Sequence, residues 1–317
     1  MTTLHAFDSQ VRDLSRTAAA ASCETLPRYD PRARASRNSR IGVGPHLLYR
    51  GDCQRVLPGL SADLADVVIT SPPYNIGLDY NSYADRRGEE DYLDWMVRIA
   101  RSVRRVMKPE GSFFLNIAGS SSRPWLPFEL MVRLRPFFEL QNHITWIKSV
   151  TVGTDSAGHF KPVRSDRFLN RNHEHIFHLT RTGRVKLDRL GVGVPYKDKS
   201  NIARRGHAQD LRCRGDTWFI PYATVQDRAQ KFHHPGTFPV ELPRMCIRLH
   251  GRRDPVVLDP FMGTGTTLVA ASEEGGRGIG IELDRDYVAV ARSRLIAAQR
   301  EQPAGPLPMQ LPMQASA

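Results

Sequence analysis

An α/β fold on a doubly wound, mostly parallel sheet is the class this chain predicts, and three stretches predict it. Asp66-Val67-Val68-Ile69-Thr70 is short, apolar and β-branched, and it ends abruptly, as a buried strand does. Asp254-Pro255-Val256-Val257-Leu258 is a second such strand. It runs straight into Asp259-Pro260-Phe261-Met262-Gly263-Thr264-Gly265-Thr266-Thr267, and glycines at a strand-to-helix turn let backbone approach a ligand closely. Gly278-Ile279-Gly280-Ile281-Glu282 is the third strand. It ends in a carboxylate one β-α-β unit later, placed to accept from ribose hydroxyls.

The first strand is stopped by Ser71-Pro72-Pro73-Tyr74. Pro72 has no N–H and a fixed φ, so the chain turns there and presents polar atoms at a strand's carboxyl end. Ligands sit at such ends in open α/β sheets. The Ser71 hydroxyl and nearby carbonyls form a small acceptor array beside the flat Tyr74 ring, a device for gripping a flat ligand with an amino group. A Pro-rich turn with a half-buried Tyr accounts for the same residues locally.

Taken together, Ser-Pro-Pro-Tyr and Asp-Pro-Phe-x-Gly-x-Gly-Thr-Thr, in that order and ~190 residues apart, resemble the amino-methylating DNA methyltransferases. The resemblance spans roughly residues 46 to 297. It implies a circularly permuted, Rossmann-like sheet of about seven strands and S-adenosylmethionine (SAM) as cofactor. It implies Ser71, Pro72, Pro73 and Tyr74 as the catalytic motif. It implies a cofactor site at Asp52, Cys53, Thr237, Phe238, Asp259, Pro260, Phe261, Gly263, Gly265, Thr266 and Glu282. Asp52 reads equally as the N-cap of the next segment, and Phe238 as a hydrophobic staple at a helix entry.

Composition bounds the partners. The 317 residues carry a formal charge of +12, which favours nucleic acid or another anionic surface. Between Lys161 and Lys231 stand 16 Lys/Arg against 7 Asp/Glu, and such localisation suits a phosphate-contacting face. No apolar run approaches the ~20 residues of a membrane span. The four scattered cysteines fit neither a zinc site nor a disulfide framework, which points to a reducing cytoplasm, with the enzyme at the nucleoid.

In chain order, residues 1–44 read as a disordered basic arm with its boundary at Gly42–Pro45. Residues 45–182 read as the catalytic half, 183–231 as an irregular basic target-recognition insertion, 232–300 as the SAM-binding half and 301–317 as a disordered tail. Within these, 46–50 is a strand. Residues 75–91 form a mobile loop over the site, and 92–107 an amphipathic helix. Strands follow at 112–117, 143–148 and 173–179, the last two an antiparallel pair. Helices follow at 127–134, 240–249 and 284–300. His173 and His175 share one strand face and His178 the other, which argues against a metal. Lys148, Arg204, Arg205, Arg212 and Arg214 are the expected DNA contacts, to phosphates or guanine edges.

Methylating an exocyclic amino group needs acceptors for its protons and a donor held in line. Ser71 and the Pro72 carbonyl would take the amino group and Tyr74 would stack on a base flipped from double-stranded DNA. Ser at position 71 favours cytosine N4 over adenine N6 in the resembling family. A P-loop is disfavoured because Gly265-Thr266-Thr267 lacks Lys, and a hydride-transfer fingerprint because position 268 is Leu. RNA or protein methylation, and a non-catalytic DNA-binding module, are the alternatives. A cognate restriction endonuclease and a homodimer are compatible with such a chain.

Overall fold

The computed structural model describes residues 40–158, 162–204, 209–221 and 236–300, without the side chains of residues 203 and 204. The expected N-terminal arm up to residue 39 and the C-terminal tail lie outside the described residues, as does Arg205.

A nine-stranded sheet runs through the molecule in the order β1-β2-β11-β10-β3-β4-β8-β5-β9. Its strands are β1 (Arg40–Val43), β2 (His46–Arg50), β3 (Ala65–Thr70), β4 (Met107–Ile117), β5 (Glu139–Ile147), β8 (His173–Thr180), β9 (Thr217–Phe219), β10 (Val256–Asp259) and β11 (Arg277–Glu282). A separate hairpin pairs β6 (Ser149–Val152) with β7 (Asp155–Gly158). Strands β2, β11, β10, β3 and β4 are parallel neighbours. β8 is antiparallel to both β4 and β5. Two short edge strands, β1 and β9, extend the seven expected. β1 pairs antiparallel with β2, from Arg40 opposite Tyr49 to Val43 opposite His46. The boundary expected at Gly42–Pro45 therefore falls inside the sheet.

The central strands are mainly apolar because both faces are covered. All residues of β3 and of β10 are buried. Side-chain alternation sends Val68 into one core, with α1 (Cys53–Val56), α2 (Glu89–Val106) and α3 (Leu126–Leu134). It sends Val67 and Ile69 into the opposite core, with α5 (Glu241–His250) and part of α6 (Thr266–Glu273). The rest of α6 packs on α7 (Arg285–Arg300). This is the doubly wound arrangement.

α2 forms where apolar residues recur at helical spacing. It buries Tyr92, Leu93, Trp95, Met96, Ile99, Ala100, Val103 and Val106 and opens on Glu89, Glu90 and Asp91, which suit a helix N-terminus. Met107 is already extended, and Pro109 disfavours helix at Lys108. Burying each large apolar side chain stabilises the fold by about 1.5–3 kcal/mol. Between β8 and β9, a short helix α4 (Ser200–Arg204) and irregular chain carry buried Val185, Val192 and Tyr196. Trp218 of β9 is likewise buried, and its pairing with β5 ties the basic segment to the sheet.

Candidate active site

The carboxyl ends of β3, β10 and β11 and the adjoining end of β4 meet at one cavity of about 540 Å³. Ser71, Pro72, Pro73 and Tyr74 line it from the β3 side. Asp259, Pro260, Phe261, Gly263, Thr266 and Glu282 line it from β10 and β11, with Asp52, Cys53, Thr237 and Phe238 completing the wall. The two strand-end motifs thus open onto a common space.

The Gly-rich turn is shaped by two left-handed residues, Gly263 at φ 52° and Gly265 at φ 82°. A Cβ on Gly265 would stand 2.8 Å from the Ala291 Cβ, so Gly265 lets the turn press against α7 rather than lining the cavity. It is the N-cap of α6. The Gly263 N–H donates to Glu282 Oε2 at 2.9 Å, and the Asp284 N–H donates to Glu282 Oε1 at 2.7 Å. Burial nevertheless pushes the Glu282 carboxyl up to about 7, because removing a carboxylate from water disfavours its charge. Asp52 caps α1, accepting from the Gln54 N–H at 2.9 Å, while lining the cavity.

Asp259 is an internal knot. It is 1% exposed and accepts from Thr70 Oγ1 (2.6 Å), Thr267 Oγ1 (2.6 Å) and the Phe261 N–H (3.0 Å). One carboxylate therefore joins the residue before Ser71 to the start of α6. Burial raises its pKa to about 6, against the pull of these hydrogen bonds.

Beside Ser71 lies a polar cluster that sequence reasoning did not assemble. Ser71 Oγ is 2.8 Å from Tyr74 Oη, which donates to Glu174 Oε2 at 2.8 Å. Asn116 Nδ2 donates to Tyr74 Oη (2.7 Å) and to Glu174 Oε2 (2.9 Å). Lys148 Nζ donates to Glu174 Oε1 at 3.0 Å. Lys148, one of the expected DNA contacts, lines the cavity and pairs with this carboxylate. Asn116 Oδ1 is buried with no hydrogen-bond partner among the described residues. Asn116 interrupts an apolar strand at its carboxyl end, a signal that could have been read. Glu174 could be found only through the register, in which Asn116 faces Ile176 across the antiparallel β4–β8 pair.

The loop after Tyr74, expected to be mobile, is fastened. Asp85, 2% exposed, accepts from the main-chain N–H groups of Asn75, Ile76, Gly77 and Leu78 at 2.7–3.1 Å. The Asn75 side chain exchanges two hydrogen bonds with the Arg87 backbone. Ser82 Oγ donates to Asp284 at 2.6 Å, and Tyr83 stacks on Trp95. Of the other expected DNA contacts, Arg212 is exposed and Arg214 holds the Val192 carbonyl at 3.0 Å through Nε. Only the backbone of Arg204, at the end of α4, is described.

A mostly parallel sheet whose Gly-rich turn, strand-end carboxylates and Ser-Pro-Pro-Tyr turn surround one cavity is the arrangement of an α/β enzyme that takes a cofactor at its strand ends. Residues 65–293 match the N6/N4 DNA methylase family, and the chain belongs to it. It is an amino-methylating DNA methyltransferase that uses SAM. The Type II methyltransferase M.ScaI of Streptomyces caespitosus is 28% identical over 265 residues, covering 79% of this chain and 81% of that one. Among solved structures, a DNA modification methylase of Thermus thermophilus, TTHA0409, in complex with SAM aligns at TM-score 0.55 and 25% identity. The alignment covers 81% of this chain and 96% of that one. The PvuII DNA methyltransferase (cytosine-N4-specific) shares the fold at TM-score 0.60 and 20% identity, over 81% of this chain and 92% of that one.

The residues present fit the cofactor. The cavity volume is that of a small-molecule site, Glu282 offers a half-buried acceptor and the Gly263 turn allows close approach.

Proposed function

We propose that this enzyme methylates the N4 amino group of a cytosine flipped out of double-stranded DNA at a specific sequence. The observation that carries the reading is that Ser71 and Tyr74 line the same cavity as Gly263 and Glu282. SAM, when bound, supplies an already activated methyl group. Asp52, Cys53, Thr237, Phe238, Pro260, Phe261, Gly263, Thr266 and Glu282 hold it, with Glu282 accepting ribose hydroxyls. Asp259 lines the same cavity while knotting the turn, and Gly265 acts from behind, shaping it.

The chain's own work lies at the acceptor. The target nitrogen's lone pair is delocalised into the ring. Hydrogen-bond acceptors at Ser71 Oγ and the Pro72 carbonyl favour a pyramidal nitrogen and stabilise its developing positive charge. The Tyr74 ring stacks on the base and fixes its plane. A base inside a duplex cannot reach such a pocket, so it is extruded. A neutral Ser is a poor general base, so the proton leaves after methyl transfer, once the amine has become acidic.

Residues 183–231, with Arg204, Arg205, Arg212 and Arg214, form the target-recognition face. A cognate restriction endonuclease and a homodimeric state belong to the same reading. Adenine N6 is the second reading, since its amino group is alike and the family covers both bases. The test is to incubate the protein with SAM and genomic DNA, digest to nucleosides and separate the methylated products by mass. N4-methylcytosine is expected. N6-methyladenine would overturn the choice of base, and duplex binding without methyl incorporation would favour a non-catalytic module.

A further inference from the structure

A serine hydroxyl both donates and accepts, and its hydrogen rotates to suit its neighbours. Only as an acceptor does Ser71 suit an amino group, so its direction matters. The 2.8 Å contact between Ser71 Oγ and Tyr74 Oη runs either way by itself. Tyr74 Oη also sits 2.8 Å from Glu174 Oε2. An ionised carboxylate only accepts, so the phenol proton is committed to Glu174. Asn116 Nδ2 is a second donor to Tyr74 Oη, at 2.7 Å, and to Glu174 Oε2, at 2.9 Å. The phenol oxygen is thus left as an acceptor towards Ser71. The Ser71 O–H donates to it. Asn116 Nδ2 also reaches Ser71 Oγ, at 3.4 Å, which leaves one Ser71 lone pair for the cavity. Lys148 Nζ, 3.0 Å from Glu174 Oε1, offsets the carboxylate charge. Burial and the neighbouring carboxylate hold the Tyr74 phenol well above its ordinary pKa, so it keeps the proton on which the chain depends.

We propose that Glu174 is a positioning residue for methyl transfer: acting through Tyr74, it holds Ser71 as a pure acceptor for the target amino group. The inference rests on the reading of Ser71 as the amino acceptor. With Gln at position 174, an amide N–H can donate to Tyr74 Oη and free the phenol proton to point at Ser71. The serine hydrogen then swings into the cavity and opposes the amino hydrogens.

The test is single-turnover methylation of duplex DNA by the full chain and by Ser71→Ala, Tyr74→Phe, Glu174→Gln and their pairwise combinations. SAM affinity is measured in parallel by calorimetry. Glu174→Gln is expected to slow transfer about a hundredfold, the scale of one misdirected polar contact at a reacting group. SAM affinity should move by no more than about twofold, because that site is walled by other residues. Tyr74→Phe keeps the ring, breaks the link and should slow transfer to a similar extent. Glu174→Gln should add nothing in the Ser71→Ala or Tyr74→Phe background, as expected of groups acting in one chain. Losses that multiply in the double variants, or a wild-type rate for Glu174→Gln, overturn the proposal. Should Glu174→Gln fail to fold, Tyr74→Phe against Ser71→Ala decides it by the same criterion. A wild-type rate for Ser71→Ala would instead sink the amino-acceptor reading, and the role of Glu174 with it.

Discussion

The ribose contact proposed for Glu282 would make cofactor binding proton-linked. Its carboxyl is pushed up to about 7 by burial, although two main-chain N–H groups pull the other way. Close to half of these carboxyls are therefore protonated in the free protein at pH 7. Accepting ribose hydroxyls favours the ionised form, so binding expels the proton. At pH 7 the release should be about half a proton per SAM bound, falling towards zero at higher pH. One pH unit below the folded pKa, about one carboxyl in ten is ionised, so affinity should fall about tenfold, or about 1.4 kcal/mol. Glu282→Gln should weaken binding by about 1.5–3 kcal/mol, the scale of hydrogen bonds to a charged group. Calorimetry from pH 6 to 8, in buffers of different ionisation enthalpy, reads both quantities. An α-amino group such as the ligand carries titrates at about 7.7–8.0, so the difference between wild type and Glu282→Gln isolates the carboxylate. Identical proton counts and identical pH slopes in the two proteins would refute the assignment.

Other consequences are equally open to measurement. Asp85→Ala strips the Asn75, Ile76 and Leu78 N–H groups of their acceptor, while Gly77 N–H keeps the Asp85 carbonyl; it should cost roughly 3 kcal/mol, and an unchanged urea midpoint would show that the 75–88 loop needs no such anchor. Thr70→Val removes one hydrogen bond to buried Asp259, with an expected loss of about 1.5–3 kcal/mol. That loss should be largest at pH 8 and shrink as the carboxyl, with its pKa of about 6, takes up a proton; a penalty that ignores pH would argue against the knot. His178 is fully buried and its pKa is lowered to about 3, so its contribution is whole above the unfolded value near 6.5 and is lost as pH falls. His178→Gln should therefore lose roughly 2 kcal/mol less than wild type between pH 6.5 and 5; parallel stability curves would contradict this, and the opposite titrations of Asp259 and Glu282 cancel in the comparison. Arg204→Ala with Arg205→Ala should lower DNA affinity and reduce the salt slope by about 2; an unaltered slope would remove both from the interface.

The parts of the fold legible in the sequence are those set by local physics. His46–Arg50 forms β2 as expected, because an apolar run bounded by Gly51 leaves little choice. The amphipathic repeat of α2 placed that helix to within a few residues. Proline and glycine punctuation located both halves of the cavity. Arg40–Val43 and Thr217–Phe219 escaped notice because such short strands depend on their partners, β2 and β5. The same limit hid the Lys148–Glu174 pair. Counting charge along a segment cannot reveal that Glu174, which faces Trp146 in the β5–β8 register, reaches the Lys148 ammonium. Asp85 was also missed, since its role lies in four N–H groups arranged by a loop that it helps to fold.

The hydrogen bond between Thr70 and Asp259 spans 189 positions of chain. A ribosome therefore makes Ser71 and Tyr74 long before the glycine turn that forms the other part of the same cavity. Until that turn follows, the serine and the tyrosine have no partner wall, and the cavity waits for the later strand to close it.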